Sequence, residues 1–304
     1  MAGQRMVRVA AAQLGPIGRD EARPAVVARL LALLGRAADQ GASLVVFPEL
    51  ALTTFFPRWW YEDGSPDLDA WFETEMPGPS TAPLFAEAAR RGVGFCLGFA
   101  ELTADGQRFN TAVLVGADGG EIGRYRKIHL PGHDEHEPWR AFQHLEKRYF
   151  SVGDLGFPAY EAFGGRVGLL ICNDRRWPEA FRALGLKGVE LVCIGYNTPV
   201  HNPPAPSHDR YGDFHNHLVM QSGAYQNGTF VVGVAKAGRE EGVDQIGGSC
   251  IVHPSGTILA QCAGLGDELC VADCDLDDTV SYKTTVFDLA RHRQPDQYGP
   301  LTAP

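Results

Sequence analysis

Three residues suited to nucleophilic chemistry stand at the ends of apolar runs or at the mouth of a loop. In GGRVGLLICNDRRWPEAF an apolar run stops at Cys172, Arg175 and Arg176 follow, and Pro178 is placed to open a helix. Positive charge nearby favours the thiolate, the reactive form of cysteine. The alternative is a buried structural thiol, the commoner fate of a free cysteine. ASLVVFPEL delivers Glu49 behind Phe47 and Pro48 in the same manner, as a general base or as a surface charge. GRYRKIHLPG sets Lys127 at the entry to a Pro/Gly loop. That lysine is either a solvated basic turn or a buried cation facing the charge of a tetrahedral intermediate. Together a carboxylate, a lysine and a thiol supply the base, the electrostatic partner and the nucleophile that acyl transfer requires.

Short runs rich in Val, Leu, Ile and Phe would position these groups. They recur at 7–14, 44–47, 94–99, 111–115, 167–171, 191–194, 229–234 and 249–252 and read as buried strands. Val27, Leu30, Leu31, Leu34 and Ala38 follow helical spacing, and Phe214, Leu218, Ser222 and Tyr225 do so more weakly. The class is therefore α/β, and in open α/β sheets ligands bind beyond the carboxyl ends of strands. No linker, charge run or short repeat divides the chain, so a single domain over 1–304 is expected. Pro and Gly cluster in KIHLPGHDEHEP and NTPVHNPPAP, long connections of the kind that cover sites.

Composition narrows the classes of partner. Over 304 residues, Lys and Arg number 27 against 37 Asp and Glu, a net charge of -10 that makes nucleic acid and anionic membrane poor partners. No apolar run reaches the roughly 18 residues of a membrane span, and MAGQRMVRVAAAQLGPIG reads as a strand rather than a signal peptide. A cytoplasmic location is expected. The seven cysteines are scattered without a C-x-x-C pair, which argues for reduced thiols; Cys270 and Cys274 bracket CVADC, which alternates like a strand. Ten histidines invite a metal reading, yet there is no H-E-x-x-H, and His133 and His136 lie in a proline-bounded loop without a clear distal ligand. No metal and no cofactor are expected. FFPRWWY, at 55–61, reads as a wall for a substrate side chain, an oligomer contact or plain core.

FPELALTTFFP, GRYRKIHLPGH, HLEKRYF followed by GDLGFP, and ICNDRRWPE closely resemble the nitrilase superfamily of carbon-nitrogen hydrolases, over nearly the whole chain. GYNTP, HNPP and RRWPE are most similar to its D-carbamoylase branch, which hydrolyses N-carbamoyl-D-amino acids. The resemblance implies a four-layer α-β-β-α sandwich and a Glu-Lys-Cys triad: Cys172 as nucleophile, Glu49 as base and Lys127 as the stabilising cation. Glu146 in HLEKRYF would match the additional glutamate many members place beside the triad, its alternative being a surface charge cluster with Lys147 or Arg148.

A substrate of this kind carries an α-carboxylate, which guanidinium grips bidentately, so at least one of Arg175 and Arg176 is expected to bind it. Asn197 and Thr198 would complete that pocket, by resemblance. Asn173 would touch the ureido group or the stereocentre, or else form a local turn bond. His129 and His144 would orient substrate or Glu146, or else be satisfied core histidines. A homo-oligomer, dimer or tetramer, is implied, with the tail at about 290–304 docking on a neighbour. Competing readings are another amidase such as an N-carbamoyl-β-alanine hydrolase or an aliphatic amidase, a catalytically silent assembly module, and a zinc amidohydrolase.

Overall fold

The computed structural model describes residues 4–302, so the last two residues of the expected docking tail, Ala303 and Pro304, lie outside the described residues. The strands are β1 (Met6–Gln13), β2 (Leu44–Val46), β3 (Gly94–Leu102), β4 (Arg108–Val115), β5 (Glu121–Arg126), β6 (Ala159–Ala162), β7 (Gly165–Ile171), β8 (Leu191–Tyr196), β9 (Phe230–Ala235), β10 (Ala237–Glu240), β11 (Val243–Ile246), β12 (Cys250–Val252), β13 (Ile258–Gln261) and β14 (Glu268–Asp275). They make two six-stranded sheets, in the orders β14-β1-β2-β3-β4-β5 and β13-β12-β9-β8-β7-β6, with β10 and β11 forming a separate hairpin. Each sheet has a parallel centre, β1-β2-β3 in one and β7-β8-β9 in the other, flanked by antiparallel strands. CVADC lies within β14, as its alternation suggested.

The two sheets pack face to face because their strands are apolar on both sides, as buried central strands must be. Val7, Val9 and Ala11 of β1 point into the cluster shared with Leu169, Ile171 and Val192 of the other sheet. The alternate residues Ala10 and Ala12 join Val27, Leu30 and Leu34 of the helix α1 (Arg23–Asp39) and Leu84 and Ala88 of α2 (Ala82–Arg91). Beyond the second sheet lie α3 (Pro178–Leu186) and α4 (Gly212–Asn227), whose Leu184 and Met220 approach Gly168 and Gly233 so closely that a Cβ at either glycine would force those side chains to move. The result is the α-β-β-α sandwich that the resemblance implied.

One expectation is reversed. α4 forms where Phe214, Leu218, Ser222 and Tyr225 suggested a helix, but Phe214, Leu218 and Tyr225 are exposed. The inward face is made of Asn216, His217, Met220, Gly223, Ala224 and Asn227 instead. Its polar members serve buried partners: Asn216 bonds Arg175 and Tyr196, and His217 meets the Gly248 carbonyl. Apolar periodicity therefore marks the wrong side. The 55–61 stretch is mostly core, with Phe55, Phe56 and Tyr61 buried among Leu145, Tyr149 and Phe150.

Candidate active site

The Glu49 and Cys172 turns lie at the carboxyl ends of β2 and β7, where two unusual backbone conformations occur. Leu50 and Cys172 both have φ of 46°, the left-handed region that non-glycine residues enter at a cost of about 1–3 kcal/mol. Two glycines make room for the first turn. A Cβ on Gly195 of β8 would lie 2.4 Å from the Glu49 nitrogen, and one on Gly98 of β3 would lie 2.7 Å from the Glu49 Cα. The Pro48–Glu49 backbone is thus clamped between the two sheets, and the carboxylate is held on a fixed base.

Three charged side chains meet there without exposure to water. Lys127 Nζ donates to Glu49 Oε1 at 2.7 Å and to Glu146 Oε2 at 2.5 Å. Asn110 Nδ2 also donates to Glu49 Oε1, and the Asn197 backbone N–H donates to Glu49 Oε2 at 2.9 Å. Glu146 Oε1 sits 3.1 Å from His144 Nε2. Burial works against the Lys127 charge, but Cys172, Glu146 and Glu49 outweigh it and raise its pKa. Burial likewise opposes the Glu146 charge, and Lys127 and His144 overcome it to hold that carboxyl below its usual range. Lys127 therefore stays protonated beside an ionised Glu146.

Cys172 joins this group through a shared neighbour. Its Sγ donates to the Asn197 carbonyl at 3.3 Å, while the same residue's N–H holds Glu49. Burial pushes the thiol pKa up, Glu49 adds to that rise, and Lys127 and Arg175 oppose it. The sulfur would need a base to release its proton near neutral pH. It forms part of the wall of a cavity of about 500 Å³, with Arg176, His144, Asn197 and Thr198 in the same lining. Cys172 is thus linked to Glu49 through Asn197 and lines the cavity with 2% of its surface exposed.

Both Pro/Gly loops singled out in the sequence line this cavity, through Pro131 and Gly132 in one and 197–204 in the other. The lining brings together two guanidinium groups, Arg140 and Arg176, with the imidazoles of His201, His208 and His215, and Arg140 is already paired with Glu137. Among the described lining residues its single carboxylate, Asp209, is already occupied by His201 Nδ1 and the Asn202 N–H, each at 2.8 Å.

The two arginines divide their labour. Arg175 does not reach the cavity; its guanidinium stacks 4.2 Å from the centre of the Tyr196 ring and donates to the Cys172 carbonyl, Asn216 Oδ1 and Thr198 Oγ1. Four of its five N–H groups are used inside the protein, so it stiffens the turn beneath the sulfur rather than presenting a fork to a carboxylate. Arg176 faces the cavity with a single bond, to Asn173 Oδ1. Asn173 is also spent internally, donating to the His129 carbonyl. His129 pairs with Asp174 at 2.8 Å and stacks on Trp177, away from Glu146, whereas His144 is the histidine that touches that glutamate. Among the described residues no three His, Cys, Asp or Glu side chains converge as a metal cage.

Two contributors went unread in the sequence. Asn110 lies in RFNTAV, where a polar residue inside a buried strand was the available signal. Asp174, buried next to the nucleophile candidate, accepts from Tyr125 Oη, Ile171 N and His129 N, tying the Cys172 turn to the end of β5.

A family profile described as carbon-nitrogen hydrolase matches residues 8–284. An N-carbamoylputrescine amidase of Arabidopsis thaliana is 30% identical, the alignment covering 88% of this chain and 87% of that one. An (R)-stereoselective amidase of a Pseudomonas species is 33% identical over 86% of this chain and 82% of its own length. A solved carbon-nitrogen hydrolase from Helicobacter pylori G27 superposes with a TM-score of 0.85 at 25% identity, covering 99% of each chain.

Proposed function

Since the chain belongs to the carbon-nitrogen hydrolase family, we propose that it works as one hydrolase domain that cleaves N-carbamoyl-D-amino acids to the D-amino acid, ammonia and carbon dioxide. The observation that carries the anionic substrate is the cavity: Arg176 is available beside Cys172, and the lining's one carboxylate is paired. The ammonium tail of a carbamoylated diamine would meet the Arg176 guanidinium and, among the described residues, no unpaired lining carboxylate there, which weighs against the activity named for the plant relative. Stereochemistry draws support from the (R)-stereoselective relative.

In the proposed reaction Glu49 takes the Cys172 proton as sulfur attacks the carbamoyl carbon. The oxyanion of the tetrahedral species faces Lys127 and the Asn173 N–H. Collapse expels one of the two nitrogens as an amine, and Glu49 passes it the proton. Glu49 then removes a proton from water as the water oxygen attacks the thioester-like intermediate, and the proton returns to the departing sulfur; the carbamic acid released breaks down to carbon dioxide and the amine of the second nitrogen. One water is consumed overall. Glu146 and His144 act behind Lys127, fixing its ammonium where charge develops. Arg176, with Thr198 and Asn197 alongside, takes the α-carboxylate.

We also propose a homo-oligomer, supported by Phe214 and Leu218, which stand 61% and 45% exposed on one face of α4. Ammonia release from N-carbamoyl-D-phenylalanine, its L-enantiomer, N-carbamoyl-β-alanine and N-carbamoylputrescine tests the substrate. The D-enantiomer is expected to be fastest by kcat/KM; preference for putrescine or β-alanine would reassign the pocket.

A further inference from the structure

Three buried charged groups lie outside the proposed chemistry. Arg58 follows the Glu49 segment, Lys236 immediately precedes β10 and Glu240 ends it; all three are almost fully shielded from water. Arg58 donates from Nη2 to Glu240 Oε1 and from Nη1 to the Glu240 carbonyl, each at 2.6 Å, and from Nε to the Phe55 carbonyl. Glu240 further accepts from the Phe55 and Ile17 N–H groups. Lys236 Nζ donates to Glu240 Oε2 at 3.2 Å and to the Thr53 carbonyl. Buried ions are expensive, and a hydrophobic trio of similar size would often be as stable.

The contacts of the clamped backbone lead from this trio to the site. The carbonyls of Pro57 and Arg58, fixed by the Arg58 fork, accept from the N–H groups of Leu145 and Gln143. His144 lies between those two residues and meets Glu146, which follows them. On the other side Lys236 fastens Thr53, four residues beyond Glu49. We propose that Arg58, Glu240 and Lys236 form an ionic strap that positions both carboxylates flanking Lys127, Glu146 through the 143–145 backbone and Glu49 through the 50–55 segment. This deepens the proposed hydrolase reading and rests on it for the role of those carboxylates.

The charges support the geometry. Glu49, Glu146 and Glu240 are three carboxylates, and Lys127, Arg58 and Lys236 are three cations, so the strap's surplus cation offsets the surplus carboxylate around Lys127. Arg58→Met and Lys236→Met each leave Glu240 one cationic partner, and each is assayed once thermal melting shows that it folds.

Each is compared with the wild type by thermal midpoint, by kcat and KM on N-carbamoyl-D-phenylalanine, and by the pH midpoint of Cys172 alkylation with iodoacetamide, read by peptide mass. In folded Arg58→Met, kcat is expected to fall about 10²-fold, the cost of an ångström-scale misplacement. KM should stay within about threefold because Arg176 and Thr198 are untouched. The alkylation midpoint should be displaced, and Arg58→Lys should recover part of kcat. If Arg58→Met fails to fold, Lys236→Met carries the same expectation through Thr53. Folded variants with kcat and alkylation midpoint unchanged, or with a loss confined to KM, overturn the strap. If the wild type turns over none of this substrate, the substrate assignment fails, and the alkylation midpoint alone decides the strap.

Discussion

Lys127 holds the charge balance of the site, serving two buried carboxylates from one ammonium. Glu49 raises the Cys172 thiol, so removing that charge and removing the base act in opposite directions on two measurable quantities. Glu49→Gln is expected to lower kcat by about 10²–10⁴-fold, the usual worth of a general base. The same substitution should move the pH midpoint of Cys172 alkylation downward, because the thiolate no longer faces that carboxylate; an upward shift would show that Glu49 does not act on the sulfur. Arg176→Met should raise KM about 10–100-fold for an anionic substrate, the value of a charge-assisted hydrogen bond, with a smaller change in kcat. Arg175→Met would instead unseat the Cys172 carbonyl and Thr198, lowering thermal stability and kcat together.

Elements decide where these residues stand, and the clearest case is the clamp of Gly98 and Gly195 on the Pro48–Glu49 backbone. Gly195→Ala is expected to cost about 1–3 kcal/mol of stability through overpacking and to reduce turnover by shifting Glu49, checked by denaturant unfolding and by kcat. Stability and activity equal to wild type would mean the backbone yields there freely. Much of this level was legible beforehand. Central strands buried on both faces write themselves as unbroken apolar runs, and Cys172 and Glu49 were readable because each ends one. The α4 face was misread because that helix turns polar residues toward Arg175, Tyr196 and Gly248, which hydropathy cannot register. Arg175 and Arg176 were indistinguishable in sequence. Their opposite directions follow from the tight turn at 172–176, invisible to a pattern of residue types.

At the scale of the whole molecule, a chain with net charge -10 keeps the Arg176 guanidinium beside Cys172 in a cavity whose one carboxylate among the described lining residues is paired. The family was readable from long motifs, whereas the buried strap was not, since its members lie at 58, 236 and 240 and only the fold unites them. None of the helices in the described residues is long and apolar enough to cross a membrane. The exposed Phe214 and Leu218 mark the face on which the proposed oligomer would form. Phe214→Asp with Leu218→Asp should lower the mass observed by sedimentation equilibrium, and an unchanged mass would remove α4 from the contact.

Passage of turnover through the Cys172 sulfur is tested most directly by steady-state hydrolysis with Cys172→Ala, its fold checked by circular dichroism and thermal melting. The expected result is a folded protein with no measurable ammonia release above the uncatalysed rate; sustained hydrolysis by that variant would contradict the cysteine mechanism outright.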